Sequence, residues 1–318
     1  MRASILVAGS LNMDFVATVA TLPTPGQTLT GNTFDLIPGG KGANQACAAG
    51  KLARGGAGGD AVRVAMVGRT GRDPFGDQLT RSLAAAGVDV EAVERVEGVS
   101  TGAAMINVGA DGQNTIVVIP GANHRFLPEH AEDLRGRLRD SAWLLLQLES
   151  PLATVEALLR AARQEGARTM LDPAPAQALS RELLSLVDVI TPNETEACLL
   201  LGRAAARLGL AEAPEMARAV RALGPRAVVL KLGDAGCFYS GPEGEHTAAA
   251  FAVTAVDATA AGDTFNAALA VAFTEGMAVP AALRFANAAA AVSVTRKGAQ
   301  TSAPSRADVD EFLAARRA

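Results

Sequence analysis

Along the chain, short apolar runs alternate with longer segments whose apolar positions recur at helical spacing. The runs VRVAMVG (62–68), WLLLQL (143–148), ARTMLD (167–172), VDVITP (187–192) and RAVVLKLG (226–233) are too short for helices and too evenly apolar for strands with one wet face. They predict strands buried on both sides. The opening MRASILVAGSLNMDF predicts a first strand. Amphipathic segments beginning near Asp73, Pro151, Asn193 and Ala213 predict the intervening helices. Such βα alternation predicts an α/β fold: a three-layer sandwich whose mostly parallel central sheet is covered by helices on both faces. Ligands then belong at the carboxyl ends of the strands.

Two regions break the rhythm, residues 12–38 and 101–119. There β-prone residues alternate with polar ones around Pro-Gly and Asp-Gly turns. They predict a small separate sheet that projects from the core as a lid. The Gly-rich stretch ARGGAGGDA (53–61) follows a helical pattern and precedes a strand, the reverse of a phosphate loop, so it predicts a flexible surface loop. The Ala-rich segment 279–294 contains Arg284 and Asn287, which makes it a buried helix and not a membrane span. The first apolar run is interrupted by Asn12 and Asp14, too soon for a signal sequence, so a cytoplasmic address is expected.

Composition changes this picture little. Apolar residues make up 49%, charged residues 19% and aromatic residues only 4% of 318 residues, so the core must be built from Ala, Val and Leu. A net charge of -4 without a basic stripe argues against a nucleic-acid partner. Cys47, Cys198 and Cys237 are far apart and outside any Cys-x-x-Cys spacing, which predicts small buried hydrophobes in place of disulfides or zinc ligands.

The chemistry concentrates in a few glycine-rich turns. In VDATAAGDTFNAAL (256–269), residues 253–256 read as a strand end and residues 265–273 as an apolar helix, leaving Ala260, Ala261 and Gly262 as the helix-opening turn. Free amides there, together with the helix macrodipole, form an anion hole for charge developing on a phosphoryl group. Asp263 in the first helical turn is then placed to take a proton from an attacking hydroxyl, and Asp257, one turn back, is free to bind a cation. IPGGKGANQACAAG (37–50) is not a Walker loop, because Lys41 is followed by Gly42. Its glycines permit close backbone approach to a polyhydroxylated ligand, with Lys41 and Asn44 as donors. TPNETEA (191–197) sets Asn193 as an N-cap with Glu194 and Glu196 in the first turn; beside a nucleotide, Asn193 and Glu196 would hold Mg²⁺ through water. KLGDAGC (231–237) ends a strand in a turn at the cleft edge.

In this order the segments GSLNMD (9–14), PTPGQT (23–28), GGKGANQA (39–46), QLESP (147–151), DPAPA (172–176), VDVITPNETEA (187–197), DATAAGDTFNAAL (257–269) and VTRKGAQTSAP (294–304) resemble the PfkB carbohydrate kinase family over essentially the whole chain. The resemblance implies one kinase domain over residues 1–318, with lid strands from about 12–38 and 101–119, and ATP-dependent phosphorylation of D-ribose at O5. Asn12, Asp14, Gly40, Lys41, Asn44 and Glu149 would grip the sugar, and Asp263 would be the base. Ala260, Ala261 and Gly262 would form the anion hole. Asn193, Lys231, Gly233, Asp234, Gly236, Gly262 and Asn287 would contact ATP. Asp257, Thr259, Ser293, Arg296, Gly298 and Ser302 would form a K⁺ site largely of main-chain carbonyls. Asn193 and Glu196 would hold Mg²⁺ through water. The resemblance also implies a homodimer, since exposed lid strands invite pairing with a second copy.

The sequence departs from the family pattern at Ala258, where Thr is usual, at Ala260, where many members have Gly, at Asn287, where some have His, and in the long loop 53–61. The alternatives are a family member acting on deoxyribose, fructose or adenosine, and a sugar sensor that kept the pocket without the chemistry.

Overall fold

The computed structural model describes residues 4–55 and 62–316, so residues 56–61 of the Gly-rich loop lie outside the described residues. Among the described residues thirteen strands are formed: β1 Ser4–Ala8, β2 Asn12–Val19, β3 Thr33–Gly39, β4 Arg63–Gly71, β5 Val88–Val96, β6 Gly102–Gly109, β7 Asn114–Ile119, β8 Trp143–Leu146, β9 Arg168–Leu171, β10 Val189–Ile190, β11 Ala227–Lys231, β12 Cys237–Gly241 and β13 Gly244–Ala248. Nine of them make one sheet in the order β13-β12-β11-β10-β9-β8-β1-β4-β5. It is parallel from β11 through β5, and the β12–β13 hairpin adds an antiparallel edge.

The unbroken apolar runs are explained by where their side chains go. In β1, Ile5 and Val7 join one core while Leu6 and Ala8 join the other. Trp143 and Leu145 divide from Leu144 and Leu146 in the same way, as do Ala227 and Val229 from Val228 and Leu230. Successive residues of a strand point to opposite faces, so a sheet covered on both sides needs every position apolar. One face is covered by helices Lys41–Ala53, Ala261–Thr274 and Val279–Ser293, the other by Leu152–Glu165, Glu194–Leu200 and Ala213–Arg221. This is the three-layer architecture that the periodicity predicts. The Ala-rich segment 279–294 is indeed a buried helix, and among the described residues no helix is long and apolar enough to cross a membrane.

The two irregular regions supply a second sheet in the order β3-β2-β6-β7. Gly26 and Gly112, in the Pro-Gly and Asp-Gly turns, take positive φ of 81° and 80°. One expectation fails: residues 253–256 are not a strand. Pairing in the sheet ends at Ala248, where the side-chain amide of Asn287 donates to the carbonyls of Ala248 (3.0 Å) and Ala249 (3.1 Å) and so takes the place of a neighbouring strand.

Candidate active site

Five strand ends of the main sheet deliver polar residues to one edge. Ser10 and Asn12 follow β1, Gln147 and Glu149 follow β8, Asp172 follows β9, Asn193 follows β10, and Lys231 closes β11. This is the carboxyl edge, where the parallel strands splay and side chains converge. Helix Lys41–Ala53 starts against the same edge. Its N-cap Gly40 has φ 87°, and a Cβ there would fall 2.7 Å from the Asn12 amide nitrogen, so only glycine lets the two segments touch.

The glycine turn and the first strand build one half of the cleft. Glu149 Oε2 accepts from Ser10 Oγ (2.5 Å) and from the Lys41 amide (3.0 Å). Asn12 Oδ1 accepts from Asn123 Nδ2 (2.7 Å), and Asn123 Oδ1 accepts from the Leu11 amide (2.9 Å). Asp14, half-buried on β2, packs against Gly39, and its carboxyl is pushed up to about 7, first by burial and then by the charge of Glu149.

Asp263 lies at the meeting point of helices Lys41–Ala53 and Ala261–Thr274 and is 6% exposed. Its Oδ2 accepts from Asn44 Nδ2 and its Oδ1 from Gln45 Nε2, both at 3.1 Å. Burial raises its pKa to about 6; the positive Lys41 opposes this, Asp172 adds to it, and the two amide donors oppose it. Lys41 is drawn the other way. Burial disfavours its charge, but Asp263, Asp172, Glu149 and Glu196 around it hold its pKa above the ordinary lysine value. Asn44 Oδ1 is buried with no partner among the described residues, an open acceptor beside the Asp263 carboxylate.

Just ahead of Asp263, Ala260 takes the left-handed conformation (φ 57°, ψ 17°) as N-cap of helix Ala261–Thr274. The anion hole differs in one donor from the sequence reading. The Ala261 amide is already bonded to the Ala258 carbonyl (3.2 Å), closing the tight turn that Ala260 makes. Among the described residues, the amides of Ala260, Gly262 and Asp263 have no partner, so of the three expected donors only Ala261 is taken, and the Asp263 amide is free beside them.

Two residues that no local pattern singles out carry this geometry. Gln45 Nε2 also donates to Asp172 Oδ2 (3.1 Å), and Gln45 Oε1 accepts from Gln147 Nε2 (2.8 Å). Asp172 Oδ1 accepts from Lys231 Nζ (3.0 Å), and that ammonium comes 3.5 Å from where a side chain on Gly262 would begin. The signal was present in NQA and DPAPA, but partners so far apart in sequence give no local pattern.

At the end of β10, Asn193 and Glu196 form a reciprocal capping box. Glu196 donates its amide to Asn193 Oδ1 (2.8 Å) while its carboxylate accepts from the Asn193 amide (2.8 Å) and side chain (2.9 Å). Burial pushes the Glu196 pKa up, with Lys231 opposing and Asp172 adding. Gly233 and Gly236 shape the turn after β11 with φ of 54° and 107°, and Asp234 is exposed, 3.9 Å from Arg207. Asn287 is spent on the two backbone carbonyls already described.

Residues 256–259 are laced to residues 293–302 through the Val256 and Asp257 amides, which both donate to the Val294 carbonyl at 2.7 and 3.1 Å. Asp257 is not free, as the sequence suggested. Its Oδ1 accepts from the Thr259 amide and hydroxyl and its Oδ2 from the Gly298 amide (2.8 Å); partial burial opposes its ionisation, but these bonds win and hold its pKa low. The hydroxyls of Ser293 and Ser302 donate to the Ala290 and Ala299 carbonyls, and Arg296 turns out to Asp308 at 3.2 Å. The three cysteines are buried and unpaired.

Comparison with known proteins agrees with this arrangement. The model described as pfkB family carbohydrate kinase matches residues 2–306. The chain is 40% identical to a ribokinase from Haemophilus influenzae, covering 98% of this chain and 99% of that one. It is 39% identical to a ribokinase from Bacillus subtilis, again over 98% and 99% of the two chains. Among solved structures it is similar to Arabidopsis thaliana ribokinase complexed with ribose and ATP, with a TM-score of 0.90 at 34% identity and coverage of 98% and 99%.

Proposed function

The chain belongs to the pfkB family of carbohydrate kinases, and from that premise we propose that it transfers the γ-phosphoryl group of ATP to O5 of D-ribose, a ribokinase activity. The observation that carries this reading is the buried Asp263 carboxylate set directly beside the partner-free amides of Gly262 and Asp263. A base and an anion hole on the same helical turn are what an in-line attack on phosphorus requires.

Asn12, Asp14, Gly40, Lys41, Asn44 and Glu149 hold the sugar, since carboxylates and amides each meet two neighbouring hydroxyls. Asp263 accepts the proton of the 5-hydroxyl as O5 bonds to the γ-phosphorus and the bond to the leaving ADP oxygen breaks. The free amides, with Lys231 close by, take up the charge that accumulates on the transferring group. Asn193 and the turn from Lys231 to Gly236 receive ATP, with Asn287 towards the adenine.

Asn193 and Glu196 would hold Mg²⁺ through water. They fit that task because each carboxylate oxygen of Glu196 keeps a lone pair beyond its capping bond, and the ion would neutralise phosphate charge. The oxygen donors of Asp257, Thr259, Ser293, Gly298 and Ser302 suit K⁺, with Arg296 offering only its carbonyl because its side chain is paired with Asp308. The four-stranded sheet acts as a lid over the sugar. Phe34, Leu36, Met105, Val117 and Ile119 share one side of it by register and are all exposed, which supports a homodimer formed through the lids. A cytoplasmic location accords with this chemistry.

The test is a panel of ribose, deoxyribose, fructose and adenosine with ATP. Ribose is expected to give the highest kcat/KM, and faster turnover of any other member overturns the assignment. Asp263→Asn is expected to lower kcat by about 10²–10⁴-fold while ribose still binds. Full activity in that variant would remove the base.

A further inference from the structure

We propose that Asp172 is a positioning residue for the transfer: one buried carboxylate holds the base Asp263 on one side through Gln45 and holds Lys231 beside the phosphate-binding turn on the other. The inference rests on the kinase reading above and adds a residue to it. The Asp172 side chain is 4% exposed and that of Lys231 14%, so the pair is sheltered from water and screening. Its two oxygens do different work. Oδ2 accepts one hydrogen of the Gln45 amide, whose other hydrogen goes to Asp263 Oδ1, and Gln147 Nε2 donating to Gln45 Oε1 fixes which way that amide faces. Oδ1 accepts from Lys231 Nζ.

A buried ion pair is weak evidence of stability, but its position here has consequences for the reaction. Asp172 takes the Lys231 ammonium for itself, so the cation that acts on Asp263 is Lys41. The same contact leaves the ammonium 3.5 Å from the place a Gly262 side chain would occupy, beside the free amides. The charged and polar groups around Asp263 are Lys41, Asp172, Gln45 and Asn44. Two of them act as one unit, the Asp172 carboxylate and the Gln45 amide that it holds by a hydrogen bond.

Asparagine at position 172 has one carbonyl oxygen and so cannot accept from both Gln45 and Lys231. Asp172→Asn is expected to lower kcat about 10- to 100-fold and to move the acid limb of kcat/KM to lower pH, because a negative charge that opposes Asp263 ionisation is gone. Gln45→Met cuts the link from the other side and removes a donor to Asp263. It is expected to lower kcat and to move the limb to higher pH. Lys231→Met keeps the Gln45 link and is expected to lower kcat without moving the limb downward. Shifts of opposite sign in the first two variants establish the role. A lowered melting temperature with kcat and both limbs unchanged makes the pair merely structural and overturns it, and Gln45→Met decides alone if Asp172→Asn does not fold. The profiles are measured with whichever sugar the panel selects, so failure of the ribose reading shows in the wild-type panel and failure of this inference in the limbs.

Discussion

The carboxyl of Asp14 should make the unliganded protein less stable at neutral pH, and its removal should show by how much. In the fold its pKa is about 7, against an ordinary 3.8 that the unfolded chain recovers. The folded state therefore holds a proton that the unfolded state releases throughout that interval. Stability contributed by this group is complete below the unfolded pKa and is lost as pH rises towards 7. At about 1.4 kcal/mol for each pKa unit, the full loss above pH 7 is about 4 kcal/mol; water reaching the half-buried group lowers this to about 2–4 kcal/mol. Asn has the same shape and no charge to bury. Asp14→Asn should therefore be more stable than the parent at pH 8 in urea unfolding, with the advantage shrinking by more than half at pH 5. Ribose affinity should fall in the same variant, since Asp14 is one of the groups proposed to grip the sugar. An advantage that is absent at pH 8, or equal at pH 5 and pH 8, would refute the reasoning, because only a raised folded-state pKa produces that dependence.

Replacing K⁺ by Na⁺ is expected to lower kcat, measured by ADP release at constant ionic strength; equal rates would count against the cation loop at Asp257 and Gly298. Ala260→Gly is expected to raise stability by about 0.5–1 kcal/mol, because Ala260 is the only non-glycine described residue at positive φ and a Cβ is strained there. A fall in the unfolding midpoint would show that the turn tolerates the side chain. Val117 is 62% exposed on β7, and Val117→Lys is expected to convert a dimer into monomers in sedimentation at micromolar concentration. An unchanged mass would move the interface off the lid.

Much of the fold is legible from periodicity because the driving force is simple. A sheet buried on both faces needs unbroken apolar runs, and each predicted run became β1, β4, β8, β9, β10 or β11. The β12–β13 hairpin was less visible, since its outer strand GEHTA is largely exposed and carries Glu245 and His246. Residues 253–256 look like a strand by composition, yet Asn287, distant in sequence, satisfies the carbonyls just before them. The candidate site divides along the same line. Asp263 and the turn before it sit together as the sequence predicts because carboxylate, glycine and helix start are contiguous. Gln45 and Asp172 were not legible, because their meaning lies in contacts 218 and 127 residues apart. Asp257 looked free because a lone carboxylate in a loop gives no sign of the Gly298 amide that comes to meet it.

The charge balance of the cleft explains why these long-range contacts are needed. Asp14, Glu149, Asp172, Glu196 and Asp263 share it with Lys41 and Lys231, so full ionisation would leave an excess of three negative charges in a partly buried space. A cleft in that state would repel a triphosphate. The pKa values of Asp14, Glu196 and Asp263 are all raised, burial being the first cause of each, so the cleft resists full ionisation. The remainder is answered locally: Lys41 stands among four of the carboxylates and Lys231 is held by one of them at the anion turn. The two lysines thus divide the work: Lys41 lies within reach of the Asp263 charge, while Lys231 is held by Asp172 beside Gly262, so positive charge stands on both sides of the proposed transfer.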